Sequence, residues 1–302
     1  MDEVTVMDIS KQTSFKVAAA QYPVSAWRSW DEYKDNAELW CQKAVDEGAQ
    51  ILLFPEYAAM ELSSLLDPLI SSDLHKQLPA LQQFLSQFTA LFEKLAIMHQ
   101  VLIQPGTFPV LNGAGEYRNR AFLFGPEGLI GYQDKLQMTR FELESWNISA
   151  GAEINTFTTH LGVIAIAICY DSEFPLLVRQ QVEAGAEVIL VPSCTDTLAG
   201  FHRVKVGSQA RALENQIYVV QSCTVGDAPW SPALDINIGA AAIYEPIDIG
   251  FKPTGIQVIG NLNVPQWVFG TCDLTKIRQV RQSGQVLNHR DWSKQVRFNP
   301  SR

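Results

Sequence analysis

A thiol, a carboxylate and an amine each close an apolar run in this sequence. Cys169 ends Gly162-Val163-Ile164-Ala165-Ile166-Ala167-Ile168. Glu56 follows Ile51-Leu52-Leu53-Phe54 in Phe54-Pro55-Glu56-Tyr57, and Lys135 follows the run near Tyr132 in Asp134-Lys135-Leu136. β-Branched apolar runs of this length read as buried strands, and strand C-termini are where α/β proteins assemble their sites. Together the three types make one chemistry. Cys169 attacks a carbonyl, and Glu56 takes the thiol proton. Lys135 and the backbone N–H of Tyr170 stabilise the oxyanion. Protonated Glu56 then supplies a departing amine and afterwards activates water. Taken singly, each residue has a plainer reading: a small core thiol, a solvated acid, a surface ion pair. Cys169 also precedes what reads as the first turn of a helix, a placement that favours a reactive thiolate. None of the five histidines occupies such a strand end; His202, after Pro192-Ser193-Cys194, is kept as a pocket residue.

The elements that must position these groups alternate along the chain. Strands are expected at 15–21, 50–54, 101–104, 119–124 and 128–132, the last two around the turn Gly125-Pro126-Glu127. Further strands are expected near 156–159, 162–168, 187–191, 217–221, 240–244, 256–261 and 267–273. Helices are expected at 30–47, stopped by Gly48, and at 72–100, 174–184, 203–215 and 274–282. Residues 1–14 read as a flexible N-terminal tail, and 15–302 as a single domain, because no linker composition divides them. Alternating strands and helices give an α/β class with layered sheets.

The 302 residues carry a net charge of -9, which argues against nucleic-acid or anionic-membrane partners. The five cysteines form no CxxC pair and no zinc-like cluster, so no metal is expected. Met1–Ser14 lacks the basic and apolar regions of a signal peptide, and no apolar run reaches the roughly 18 residues of a membrane span. A reducing, cytoplasmic setting follows.

The fragments Phe54-Pro55-Glu56, Asp134-Lys135-Leu136 and Cys169-Tyr170-Asp171-Ser172-Glu173-Phe174-Pro175 resemble the nitrilase (carbon–nitrogen hydrolase) superfamily. So do Val17-Ala18-Ala19-Ala20-Gln21, Gly185–Ser193 and Arg211-Ala212-Leu213-Glu214-Asn215, all in the family's order. The likeness runs from about residue 15 to residue 281. It implies a four-layer α-β-β-α sandwich and a Glu-Lys-Cys triad with Glu56 as base, Lys135 as oxyanion stabiliser and Cys169 as nucleophile, without a cofactor. It also implies a second glutamate between lysine and cysteine. Glu144, before Trp146 and Gly151, fits that pattern best, and Glu142 competes with it.

Tyr170-Asp171 stands where nitrile-hydrolysing members have Trp-Glu. The resemblance therefore implies hydrolysis of a non-peptide C–N bond in a small amide or N-carbamoyl compound through a Cys169 thioester. A nitrilase, or a soluble N-acyltransferase using the same thioester, is the alternative. Asp171 is expected to cap a helix or bond nearby backbone. Substrate-binding candidates are Tyr57, Tyr170, Trp146, Arg140, Glu173, Thr195 and His202, with Met60, Met138, Phe141 and Cys194 as further wall candidates. Arg140 suits a carboxylate, or pairs with Glu142 or Glu144. Cys41, Cys223 and Cys272 are expected to be structural. The family likeness implies a homodimer or higher even oligomer, joined through 174–184 and 203–215.

Overall fold

The computed structural model describes residues 13–295. Ser14 already begins the first strand, so it does not belong to the expected tail; residues 1–12 lie outside the described residues. In chain order the strands are β1 (Ser14–Pro23), β2 (Ile51–Phe54), β3 (Leu102–Pro105), β4 (Thr107–Leu111), β5 (Tyr117–Gly125), β6 (Gly128–Asp134) and β7 (Thr156–Thr159). They continue with β8 (Gly162–Ile166), β9 (Val188–Ser193), β10 (Tyr218–Asp227), β11 (Ile236–Asn237), β12 (Ala242–Tyr244), β13 (Ile256–Ile259) and β14 (Gln266–Asp273). The helices are α1 (Trp30–Asp46), α2 (Pro68–Ser71), α3 (Leu74–His99), α4 (Pro175–Glu183), α5 (Leu198–Asn215), α6 (Leu274–Ser283) and α7 (Asn288–Asp291).

Strand order is β4-β5-β3-β2-β1-β10-β9-β8-β7, with β6 on β5 and β14 antiparallel on β1. β1 is the hinge of this arrangement, pairing parallel with β2 through Val17–Ala19 and with β10 through Gln21–Pro23. Its alternation explains the layers. Ala18, Ala20 and Tyr22 face one core with Leu52, Phe54 and the inner sides of α1 and α3. Val17 and Ala19 face a second core that runs through Ile166, Ile189 and Val219 to Val178 of α4 and Val204 of α5. Both faces of these strands are covered, so they read as continuous apolar runs. The result is the expected α-β-β-α order of layers.

Local chemistry sets the boundaries. Ser29 caps α1 by accepting from Glu32 N, and Asp73 caps α3 by accepting from His75 and Lys76 N. α5 starts at Leu198, five residues before the expected start, because Thr197 Oγ1 accepts from Gly200 N at 3.1 Å. β4, a 3-10 run over Ala58–Leu65 and a π-helical turn over Phe141–Trp146 were not expected from the sequence. Among the described residues no helix is long and apolar enough to cross a membrane.

Candidate active site

Glu56, Lys135 and Cys169 meet at the base of a cavity of about 680 Å³. Glu56 is buried two residues past β2. Its Oε1 accepts from Lys135 Nζ at 2.7 Å and from Asn119 Nδ2 at 2.9 Å. Its Oε2 accepts from Cys194 N at 3.1 Å, and Cys169 lines the same cavity beside it. The turn carrying Glu56 presses on Gly106, where a Cβ would collide with the Pro55 carbonyl. Thr107, the next residue, accepts from Tyr57 N at 2.8 Å and so fixes the exit from that turn.

Lys135 directly follows β6, and its N–H donates to Asn119 O at 2.9 Å. Its ammonium reaches Glu142 Oε1 at 2.8 Å and Oε2 at 2.7 Å. Glu142 also accepts from Tyr57 Oη at 2.6 Å, Thr139 N at 2.9 Å and Thr139 Oγ1 at 2.8 Å. The second glutamate beside Lys135 is therefore Glu142, and the preference for Glu144 is corrected. Within the π-helical turn, Glu142 and Trp146 point inward and the residues between them point out. Glu144 is exposed and paired with Arg140 at 2.9 and 2.8 Å. That pair also occupies the guanidinium expected to receive a carboxylate.

Cys169 sits at φ +47, a left-handed backbone rarely adopted outside glycine. Its Sγ donates to Cys194 O at 3.6 Å. Asp171 holds this corner. Its carboxylate accepts from Ile168 N at 3.2 Å, Leu136 N at 3.1 Å and Gln137 N at 2.7 Å, joining the nucleophile turn to the lysine loop. From the other side Arg211 donates to Ser172 O at 3.1 Å while paired with Glu214 at 2.6 Å, giving the Arg-Ala-x-Glu-Asn segment its role. Only a five-residue 3-10 turn starts at Cys169, and α4 begins at Pro175. Tyr170 N–H lies in the first turn of that run, where helices leave donors unpaired.

The electrostatics follow from two carboxylates and one ammonium in a dry pocket. Burial raises the proton affinity of Glu56, and Lys135 only partly offsets it. Burial acts on Glu142 as well, but Lys135 and the surrounding donors overcome it and hold Glu142 below the usual carboxylate range. Burial works against the Lys135 ammonium, yet Glu142 and Glu56 hold it well above its ordinary value. Burial and the nearby Glu56 push the Cys169 thiol up. Burial and Glu56 thus favour the protonated thiol at Cys169, and a short 3-10 turn follows it where the first turn of a helix was expected.

Tyr57, Tyr170, Trp146, Arg140, Glu173 and Thr195 line the cavity, together with Phe141 and Cys194. His202 does not; it faces a separate shallow groove along α5. Met60 is buried in the core that holds α1 and α3, and Met138 packs against that core; neither lines the cavity. The sequence reading missed Asn119 and Thr139, and Pro232, Ala233, Asp235 and Ile236 also line the cavity. Asn119 does follow the alternation of β5, and the others lie in loops with no periodic signal.

The carbon-nitrogen hydrolase family model matches residues 16–258. The chain belongs to the carbon-nitrogen hydrolase family. This carbon-nitrogen hydrolase is 37% identical over 276 residues to the probable hydrolase YhcX of Bacillus subtilis, covering 91% of this chain and 53% of that one. The chain thus spans about half the length of that relative. It is 23% identical to the mouse omega-amidase NIT2, covering 92% of this chain and 95% of that one. Among solved structures, Saccharomyces cerevisiae Nit3, a member of branch 10 of the nitrilase superfamily, superposes with a TM-score of 0.70 at 21% identity. That match covers 90% of this chain and 94% of Nit3, and supports the four-layer fold.

Proposed function

We propose that this carbon-nitrogen hydrolase cleaves a small non-peptide amide or N-carbamoyl compound through a thioester on Cys169. The observation that carries this reading is the cluster in which Glu56 faces both the Cys169 thiol and Lys135 at the floor of one cavity. Glu56 takes the thiol proton as sulfur adds to the carbonyl carbon. Lys135 Nζ and Tyr170 N–H meet the oxyanion. Glu56 then returns the proton to the leaving amine as the C–N bond breaks. The same carboxylate removes a proton from water, which attacks the thioester and frees the acid and Cys169.

Glu142 keeps Lys135 charged and aimed, and its ionised state leaves the mobile proton to Glu56. A leaving amine needs that proton, which Glu56 supplies in the first half-reaction. The omega-amidase relative supports the same bond class. Screening amides, ω-amides, N-carbamoyl amines and nitriles for ammonia release tests the reading, with Cys169→Ala as control. Turnover by Cys169→Ala, or release from nitriles alone, would overturn it.

The continuous sheet and the extent of the family match support a single domain over 15–302. The five free cysteines support a reducing, cytoplasmic setting. Exposed Leu176 on α4 and Val206 on α5 support a homo-oligomer joined across those helices. A monomeric mass by light scattering at micromolar concentration would contradict that assembly.

A further inference from the structure

The geometry points to Asn119 as the positioning residue that confines the working proton of Glu56 to one oxygen, Oε2. This inference rests on Glu56 being the base. Asn119 lies on β5 and is fully buried. Its side-chain amide donates to Glu56 Oε1 at 2.9 Å and to Glu142 Oε1 at 3.2 Å. Lys135 Nζ donates to the same two oxygens at 2.7 and 2.8 Å. Glu56 Oε1 therefore meets two donors and has no role left for a proton. Oε2 keeps one backbone donor, Cys194 N at 3.1 Å. The syn and anti lone pairs of a carboxylate oxygen allow a second partner there, on the side of the Cys194 backbone to which the Cys169 thiol also turns, in the same cavity.

The other half of the Asn119 amide strengthens the argument. Its Oδ1 is buried and has no hydrogen-bond partner. Turning the amide over would aim that oxygen at two carboxylates, so their charge fixes the orientation. A buried acceptor left unpaired is costly, and such groups need an explanation in a native fold. Here the explanation is the N–H side: only a neutral donor fits between two acids that already share one ammonium. A second cation at this position would neutralise the base, and a hydroxyl on a shorter side chain would not span both carboxylates. Asn119 is also tied to Lys135 through its own carbonyl, so one residue sets the distance between base and ammonium.

The ionisable groups facing Glu56 are Lys135, Glu142, Cys169, Cys194 and Tyr57. Removing the Asn119 donor leaves all of them in place while taking one hydrogen bond from the ionised form of Glu56. The carboxylate then binds its proton more tightly, and thiolate formation at Cys169 requires higher pH.

The probe is iodoacetamide. Alkylation of the peptide holding Cys169 is followed by mass spectrometry against pH in the parent, Asn119→Ala, Asn119→Leu and Glu56→Gln proteins. Cooperative thermal unfolding serves as the check on folding. In the Asn119 variants the acid limb of the labelling rate is expected to move up by about one pH unit, or about tenfold slower labelling at its foot. An acid limb that stays at the parent position in a folded Asn119 variant overturns the inference. Failure of both variants to fold also overturns it, because it would assign Asn119 to the fold rather than to the base. Glu56→Gln separates the two layers of argument. If that protein labels with the parent's pH limb, Glu56 is not the base and the functional reading fails. If it loses the limb while Asn119→Ala keeps it, only the role of Asn119 fails.

Discussion

Lys135 Nζ lies 2.8 and 2.7 Å from the two oxygens of Glu142 and 2.7 Å from Glu56, so one ammonium holds two acids in different states. Lys135 and the surrounding donors hold Glu142 below the usual carboxylate range, whereas burial raises the proton affinity of Glu56. Glu142→Gln removes half of that clamp. It is expected to lower kcat/KM by about 10²–10³-fold, in the range of other transition-state charge contacts. Glu144→Gln breaks only an exposed ion pair with Arg140 and should change kcat/KM by less than about twofold. Ammonia release from the best amide of the panel measures both. Equal losses would reject the assignment of Glu142.

The raised proton affinity of Glu56 has a defined direction in a pH profile. The base must be ionised to accept the thiol proton, so activity falls as pH drops through the folded value. Because burial sets that value above the ordinary one, the acid limb of kcat/KM should lie above about 4.3. The limb belongs to the coupled Glu56–Cys169 pair. A profile flat down to the ordinary glutamate range would exclude Glu56 as the group that titrates.

Glu61 carries a different pH dependence, one of stability. It is buried in the 3-10 run, where it accepts from Tyr22 Oη at 2.7 Å and Ser25 N at 3.2 Å. Burial pushes its carboxyl up to about 8. The unfolded chain releases this proton near the ordinary glutamate value, while the folded chain keeps it until about 8. The contribution of Glu61 to stability is therefore greatest in acid and is lost as pH rises between those two values. Glu61→Gln cannot ionise and should be the more stable protein at pH 8 by a few kcal/mol, on the order set by the shift. Near pH 4 the advantage should vanish. Urea midpoints at the two pH values test this, and a pH-independent difference would contradict it.

Asp171 joins two loops through three backbone donors, those of Ile168, Leu136 and Gln137. Asp171→Asn would present an amide N–H to donors that need acceptors. A loss of about 2–4 kcal/mol is expected, the cost of unpaired buried groups. Iodoacetamide labelling of Cys169 should slow as well, since the nucleophile turn would lose its tie to Lys135. An Asp171→Asn protein with the parent's urea midpoint would show that the three contacts carry no stability.

Much of this site was legible because strand ends leave a strong local signature. Glu56 and Cys169 follow buried apolar runs that became β2 and β8, whereas Lys135 follows β6, whose Leu129, Ile130 and Tyr132 are exposed. Glu142 was harder, because both it and Glu144 sit one turn or less from Trp146. The i,i+4 spacing from Glu142 to Trp146 puts those two on one helical face and Glu144 on the other. Asn119 gave no charge or motif to mark it, and its importance comes from a pairing across β5 and β6. The cavity wall at 232–236 belongs to a connection without periodicity. His202 fell outside because Thr197 starts α5 early and turns that side chain toward the outer groove.

The contact between Glu56 Oε2 and the backbone of Cys194 also crosses the boundary between the two packed β layers. Glu56 lies two residues past β2 and Cys194 directly after β9, and a second bridge runs from Asp171 to the loop after Lys135. Glu56 and Cys194 therefore sit at the ends of strands on either side of the paired β1 and β10, and the bond between them depends on that packing. Pressure or low urea that lets the layers slide by a fraction of an ångström would silence the enzyme before any helix or strand melts. Activity in such a molecule acts as a strain gauge for its own interior.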